Sequence, residues 1–206
     1  IDTKDIKKLR APYTPADRPR DLFFIGRITA KAEIALLLQA LVRSDCEHVV
    51  LDVIGDGPGL PELRQQAANL GLADRIAWHG AIVDEAHIAK IANRCKLFVF
   101  PGSVGLSLIH GFAYGLPAIV HDDRWKHMPE IAALQPGGNG ITFHRGDVAS
   151  LAKAIANLLE SGAELERMSA VAVATTETSF NTDDMAKRFL SAIAIVAGHI
   201  ESTCGQ

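Results

Sequence analysis

The chain has 206 residues, 48% of them apolar and 22% charged, with a formal net charge of −3. That profile belongs to a globular protein long enough to bury one sizeable core, and its slightly acidic balance excludes bulk electrostatic capture of nucleic acid. The three cysteines, Cys46, Cys95 and Cys204, form no CxxC pair, which argues against a disulfide framework or thiolate zinc site and predicts buried thiols in a reducing cytoplasm.

Residues 1–20 are polar, with Pro12, Pro15 and Pro19, and read as an arm or linker. From Asp21 strands and helices alternate. LFFIG (22–26) predicts a buried strand, IALLLQALV (34–42) a helix, and HVVLDVIG (48–55) a second strand closed by GDGPG. LPELRQQAANLG (60–71) has Pro in its first turn and Gly past its end, the signature of a helix. RIAWHG (75–80) is a strand, 84–94 a helix capped by Asp84, LFVF (97–100) a strand, 106–115 a helix and PAIVH (117–121) a strand. A loop over 122–139 leads to the strand GITFH and a helix over 147–160; helical segments at about 163–174 and 182–198 flank the hinge TTETSFNTDD. No segment reaches the ~18–20 apolar residues of a membrane helix, and IDTKDIKKLR lacks a signal-peptide core. The missing initiator Met reads as a piece of a longer chain.

Apolar strands alternating with helices predict a Rossmann-like, doubly wound parallel sheet of about six strands. Ligands of such sheets bind at the carboxyl ends of the strands. Gly26-Arg27, Gly55, Gly80, Pro101-Gly102 and His121 fall there. The stretch VFPGSVGLSLIHGFAYGLPAIV is the most pointed: the turn Gly102-Ser103-Val104 leads into a helix opened by Gly105-Leu106-Ser107, whose free N–H groups and positive dipole end suit a phosphate. Arg27 and Lys31 are two cations near that edge, placed either as solvated charge or to neutralise a diphosphate. His110 is either structural or a partner for a ribose or sugar hydroxyl. Glu130 either caps a following helix or accepts a ligand hydroxyl. GDGPG lacks the third glycine of a dinucleotide loop, Leu60 standing in its place, so a tight turn is preferred to an NAD site. His121, Asp122, Asp123 and His127 match no metal-ligand spacing, and no metal is expected.

The ordered set GRITAK, VIGDGPGLPELRQQAANLGLADRIAWHGAI, LFVFPGSVGLSLIHGFAYGLPAIV, PEI, GGNGITF and GDVASLAKAIANLL resembles the C-terminal, donor-binding domain of retaining glycosyltransferases of the group 1 (family 4) type. It spans about residues 21–160. The resemblance implies one half of a two-domain GT-B enzyme, with a separate N-terminal acceptor-binding domain. It implies a nucleotide-diphosphate-sugar donor, no cofactor, no metal, no nucleic-acid partner, and hexose transfer with retention to a polysaccharide or lipid-linked glycan. Any peripheral membrane contact would fall to the absent half. Arg27, after the family glycine at Gly26, matches the arginine that contacts the donor phosphates, Gly105 and Leu106 match the helix start that holds the diphosphate, and Ala81 and Ile82 the base-contacting segment. His110 stands where the family has a ribose-contacting Glu, the family's other Glu aligns with the turn Gly102-Ser103, and Lys31 precedes by one position the family lysine, where Ala32 stands. The matched positions make Arg27, Lys31 and His110 the expected catalytic set. The domain plan is then an arm over 1–20, a donor domain over 21–175 and a crossing segment over 176–206. The last helix presents an apolar face (Phe189, Ile193, Ile195, Val196), exposed or folded back, where self-association or disorder is expected. Two other readings are a sugar-nucleotide-binding module without catalysis and a nicotinamide-dependent oxidoreductase fragment.

Overall fold

The structure, a computed structural model, describes the backbone of residues 2–204 and the side chains of residues 2–195. Six strands, β1 (Arg20–Ile25), β2 (Leu51–Ile54), β3 (Ile76–Gly80), β4 (Cys95–Phe100), β5 (Ala118–His121) and β6 (Gly140–Phe143), form one parallel sheet in the order β3-β2-β1-β4-β5-β6. The four residues from Leu22 to Ile25 are all buried, as are those of β2 and β5, because both faces of the sheet are covered. The helices that follow the first four strands are α2 (Ile34–Leu41), α3 (Leu60–Asn69), α4 (Glu85–Ala92) and α5 (Leu106–Ala113), and α6 (Val148–Leu159) follows β6. Right-handed crossovers running outward from β1 to β3 put α2 and α3 on one face, and those running from β3 back through β4 to β5 put α4 and α5 on the other. The order therefore reverses between β1 and β4, which is the topological switch point of the sheet.

Several elements differ from their sequence boundaries. The second strand was expected over 48–55 and covers only four residues, because side chains satisfy the preceding backbone: Asp21 accepts the Val50 N–H at 3.0 Å and Arg75 Nε donates to the Val49 carbonyl at 3.0 Å. The polar stretch 1–20 contains a helix, α1 (Thr3–Leu9), capped by Asp2 and anchored by the fully buried Ile6 against α4 and α5. The loop 122–139 holds two short 3-10 turns, Arg124–Lys126 and Pro129–Ala133. The hinge contracts to three residues between α7 (Gly162–Thr178) and α8 (Thr182–Cys204). On α8, Phe189, Leu190 and Ile193 are at least half exposed, while Val196 lies outside the described side chains. Cys46 and Cys95 are buried free thiols, and Cys204 lies outside the described side chains. Among the described residues no helix is long and apolar enough to cross a membrane.

Candidate functional site

The carboxyl ends of β1, β2 and β3 border an open crevice of about 410 Å³ lined by Gly26, Arg27, Gly55, Asp56, Ala81 and Ile82, among others. The expected phosphate-contacting and base-contacting segments thus share one crevice. The GDGPG turn helps to shape it but has little to offer an anion. Asp56 Oδ1 accepts the Gly57 N–H at 2.7 Å, Leu60 N–H donates to Gly57 at 3.1 Å, and a Cβ at Gly57 would overlap the Ile28 carbonyl. Gly55 and Gly57 serve close packing of two loops, as the tight-turn reading anticipates.

Across the switch point, the turn after β4 is built by internal hydrogen bonds. Gly102 N–H donates to the Ala32 carbonyl at 3.1 Å, Ser103 N–H to the Lys31 carbonyl at 3.0 Å, and Val104 N–H to His127 Nδ1 at 3.1 Å. A Cβ at Gly102 would overlap the Lys31 carbonyl. These three residues shape the site. The N–H groups of Gly105, Leu106 and Ser107, by contrast, precede the first hydrogen-bonded turn of α5 and have no acceptor within the helix. Ser107 Oγ lies 3.3 Å from the position a Gly26 Cβ would take, which brings this helix start against the end of β1. Arg27 and Lys31 are exposed, and among the described residues neither makes an ion pair, while Ala32 is buried. In this register the outward-facing position of the turn is Lys31. Glu130 sits in the 3-10 turn Pro129–Ala133 itself, with Oε2 3.6 Å from the position a Gly105 Cβ would take, so its carboxylate borders the helix start.

His110 is placed differently from a free ligand contact. Its ring is buried, stacked on Tyr114 with centroids 5.7 Å apart, and its Nε2 lies 2.8 Å from Glu85 Oε1. The Tyr114 hydroxyl donates to the same oxygen at 2.6 Å. Burial works against the Glu85 carboxylate, but the hydrogen bonds from His110 and Tyr114 outweigh it and hold the pKa below its ordinary value. Burial, with the Glu85 carboxylate, pushes the Tyr114 phenol up. Glu85 carries no motif: as the first residue of α4, behind the Asp84 cap, it reads from sequence as a charge placed for the helix dipole.

The histidines of the 121–127 segment form a clamp. Their rings stack with centroids 3.7 Å apart. His127 accepts from Val104 through Nδ1, so its Nε2–H donates to the His121 carbonyl at 3.0 Å, tying the end of β5 to the turn before α5. Met128 N–H adds a bond to the Val104 carbonyl at 2.9 Å. His121 is buried, and among the described residues neither of its ring nitrogens has a hydrogen-bond partner. Burial, followed by the charge of His127, lowers its pKa to about 4. Among the described residues no cluster of three or more His, Cys, Asp or Glu side chains is disposed to hold a metal ion.

Comparison with known proteins matches residues 5–173 to the family described as glycosyl transferases group 1. Alpha-monoglucosyldiacylglycerol synthase of Streptococcus pneumoniae is 29% identical over 130 residues, which are 61% of this chain and 29% of that protein. Lipopolysaccharide 1,6-galactosyltransferase of Salmonella typhimurium is 26% identical over 153 residues, 69% of this chain and 40% of that protein. The chain spans less than half the length of either relative. Among solved structures, Anabaena HepE in complex with UDP superposes with a TM-score of 0.74 at 20% identity, over 94% of this chain and 55% of that one, a likeness of fold.

Proposed function

This chain belongs to the group 1 glycosyl transferases, and on that premise we propose that it is the donor-binding half of a retaining, metal-independent hexosyltransferase. The donor is a nucleotide-diphosphate sugar and the acceptor a polysaccharide or lipid-linked glycan. The observation that carries the reading is the open start of α5: three N–H groups without helical acceptors lie at the end of β1 at the switch point, on the same edge as Arg27 and Lys31, neither of which makes an ion pair among the described residues. As the bond from the anomeric carbon to the diphosphate lengthens, negative charge builds on the departing oxygens. Fixed N–H dipoles with Arg27 and Lys31 stabilise that charge more than they stabilise the ground state, and so lower the barrier. The hexose donor is supported by relatives named for glucosyl and galactosyl products, and the nucleotide by a fold neighbour bound to UDP. Chemistry of this kind needs water excluded, so this half alone binds donor and transfers nothing. The absence of a carboxylate at the Gly102-Ser103 turn favours a second reading, a binding module without catalysis. Transfer by the chain joined to its acceptor-binding domain would rule that reading out.

Ligand-observed NMR with UDP, GDP, ADP and NAD, each with and without magnesium, tests the proposal. The expected result is saturable binding of one nucleoside diphosphate, indifferent to magnesium and weakened about tenfold or more in Arg27→Ala, the scale of a charge-assisted hydrogen bond. Binding of NAD alone, or diphosphate binding untouched by that substitution, would overturn it.

A further inference from the structure

We propose that Glu85 is the residue that binds the ribose of the donor, and that His110 and Tyr114 are positioning residues acting through it. The inference rests on the donor reading above and deepens it. The base-contacting segment ends at Ile82, and Glu85 follows three residues later at the first turn of α4. The diphosphate site ends at Ser107, and His110 follows three residues later on α5. The Glu85–His110 hydrogen bond joins these two elements directly. What connects a base to a diphosphate is the ribose, so this carboxylate stands at the middle of the nucleotide.

The two oxygens of Glu85 are in unlike states. Oε1 receives both protein donors, His110 at 2.8 Å and Tyr114 at 2.6 Å. Oε2 has no hydrogen-bond partner among the described residues, and the side chain keeps 31% of its surface exposed. A carboxylate only accepts, so the ring N–H and the phenol must be the donors, and the group left for the free oxygen is a hydroxyl. The diphosphate itself is excluded by like charge, which leaves the neutral part of the ligand. The His110 ring, with Nε2 on Glu85 and its side chain 9% exposed, has no such freedom. It orients the carboxylate and holds it ionised.

The test is ribose selectivity, which a merely structural role would not move. Affinities are measured by calorimetry for whichever of UDP, GDP and ADP the unaltered chain binds, and for its 2′-deoxy and 3′-deoxy analogues. The expected result is at least tenfold tighter binding of the ribonucleotide than of one analogue, with Glu85→Ala reducing that ratio to near one and Tyr114→Phe reducing it in part. Equal binding of ribo and deoxy forms by the unaltered chain overturns the inference without any variant. A ratio preserved in a folded Glu85→Ala protein also overturns it, while leaving the donor reading intact. If none of the three diphosphates binds, the donor reading fails and takes the inference with it.

Discussion

At the residue scale, burial sets the chemistry of His121. Its ring is enclosed by His127 and by the edge of Phe143, 6.4 Å away, with Asp122, Asp123 and Arg145 as the nearby charges. The folded pKa of about 4 lies below the ordinary 6.5, so between those values the unfolded chain takes up a proton that the native chain refuses. The stabilisation is complete above about pH 6.5 and falls away as the pH drops toward 4, by up to about 3 kcal/mol for this group. His127 is shifted in the same direction, chiefly by burial, and adds to the slope. Urea unfolding at intervals from pH 7 to pH 4.5 should show that loss, and His121→Phe, which keeps an aromatic ring in the stack, should flatten the curve. An unchanged slope in the variant would place the titration elsewhere.

At the scale of an element, α6 illustrates how a helix is set by its ends and its face. Asp147 Oδ1 accepts the N–H groups of Ala149 at 2.8 Å and Ser150 at 3.0 Å. Leu151, Ala152, Ile155 and Leu158 recur at helical spacing and are buried, with α2 packed alongside. Both features were legible in the residues, since a cap followed by periodic leucine, isoleucine and alanine has few other outcomes. Asp147→Ala should lower the unfolding free energy by about 1 kcal/mol, with Asp147→Asn close to wild type, as measured by chemical denaturation. The second strand behaved otherwise: its apolar run extends further than its ladder, because Asp21 and Arg75 reach the backbone from distant parts of the chain.

At the scale of the whole molecule, residues 2–10 belong to the packing of the domain. Arg10 donates to the Ala113 carbonyl at 3.0 Å and pairs with Glu177 at 2.8 Å, while Lys4 pairs with Asp183 at 2.8 Å. The exposed pairs contribute little. The buried Ile6 contributes most, and Ile6→Ala should cost about 2–4 kcal/mol, seen as a lower denaturation midpoint with unchanged cooperativity. A cost near zero would make the stretch the loose arm its composition suggests. Polar composition hid this contact because one isoleucine among charged neighbours has no visible period.

The alternation of apolar strands with helices, the caps and the glycine-opened helix were determined by the sequence alone. These depend on neighbours within a few residues, where periodicity and backbone chemistry act directly. The switch point could be anticipated, since the handedness of crossovers leaves few ways to order such strands. What only the tertiary structure decided is which atoms of the site remain free. Gly102, Ser103 and Val104 look like anion donors until Lys31, Ala32 and His127 are seen to occupy their N–H groups. His110 looks like a ligand contact until Glu85, 25 positions away in the chain, is found on its nitrogen. Hydrogen-bond saturation is settled by partners distant in sequence, and no local pattern can report it.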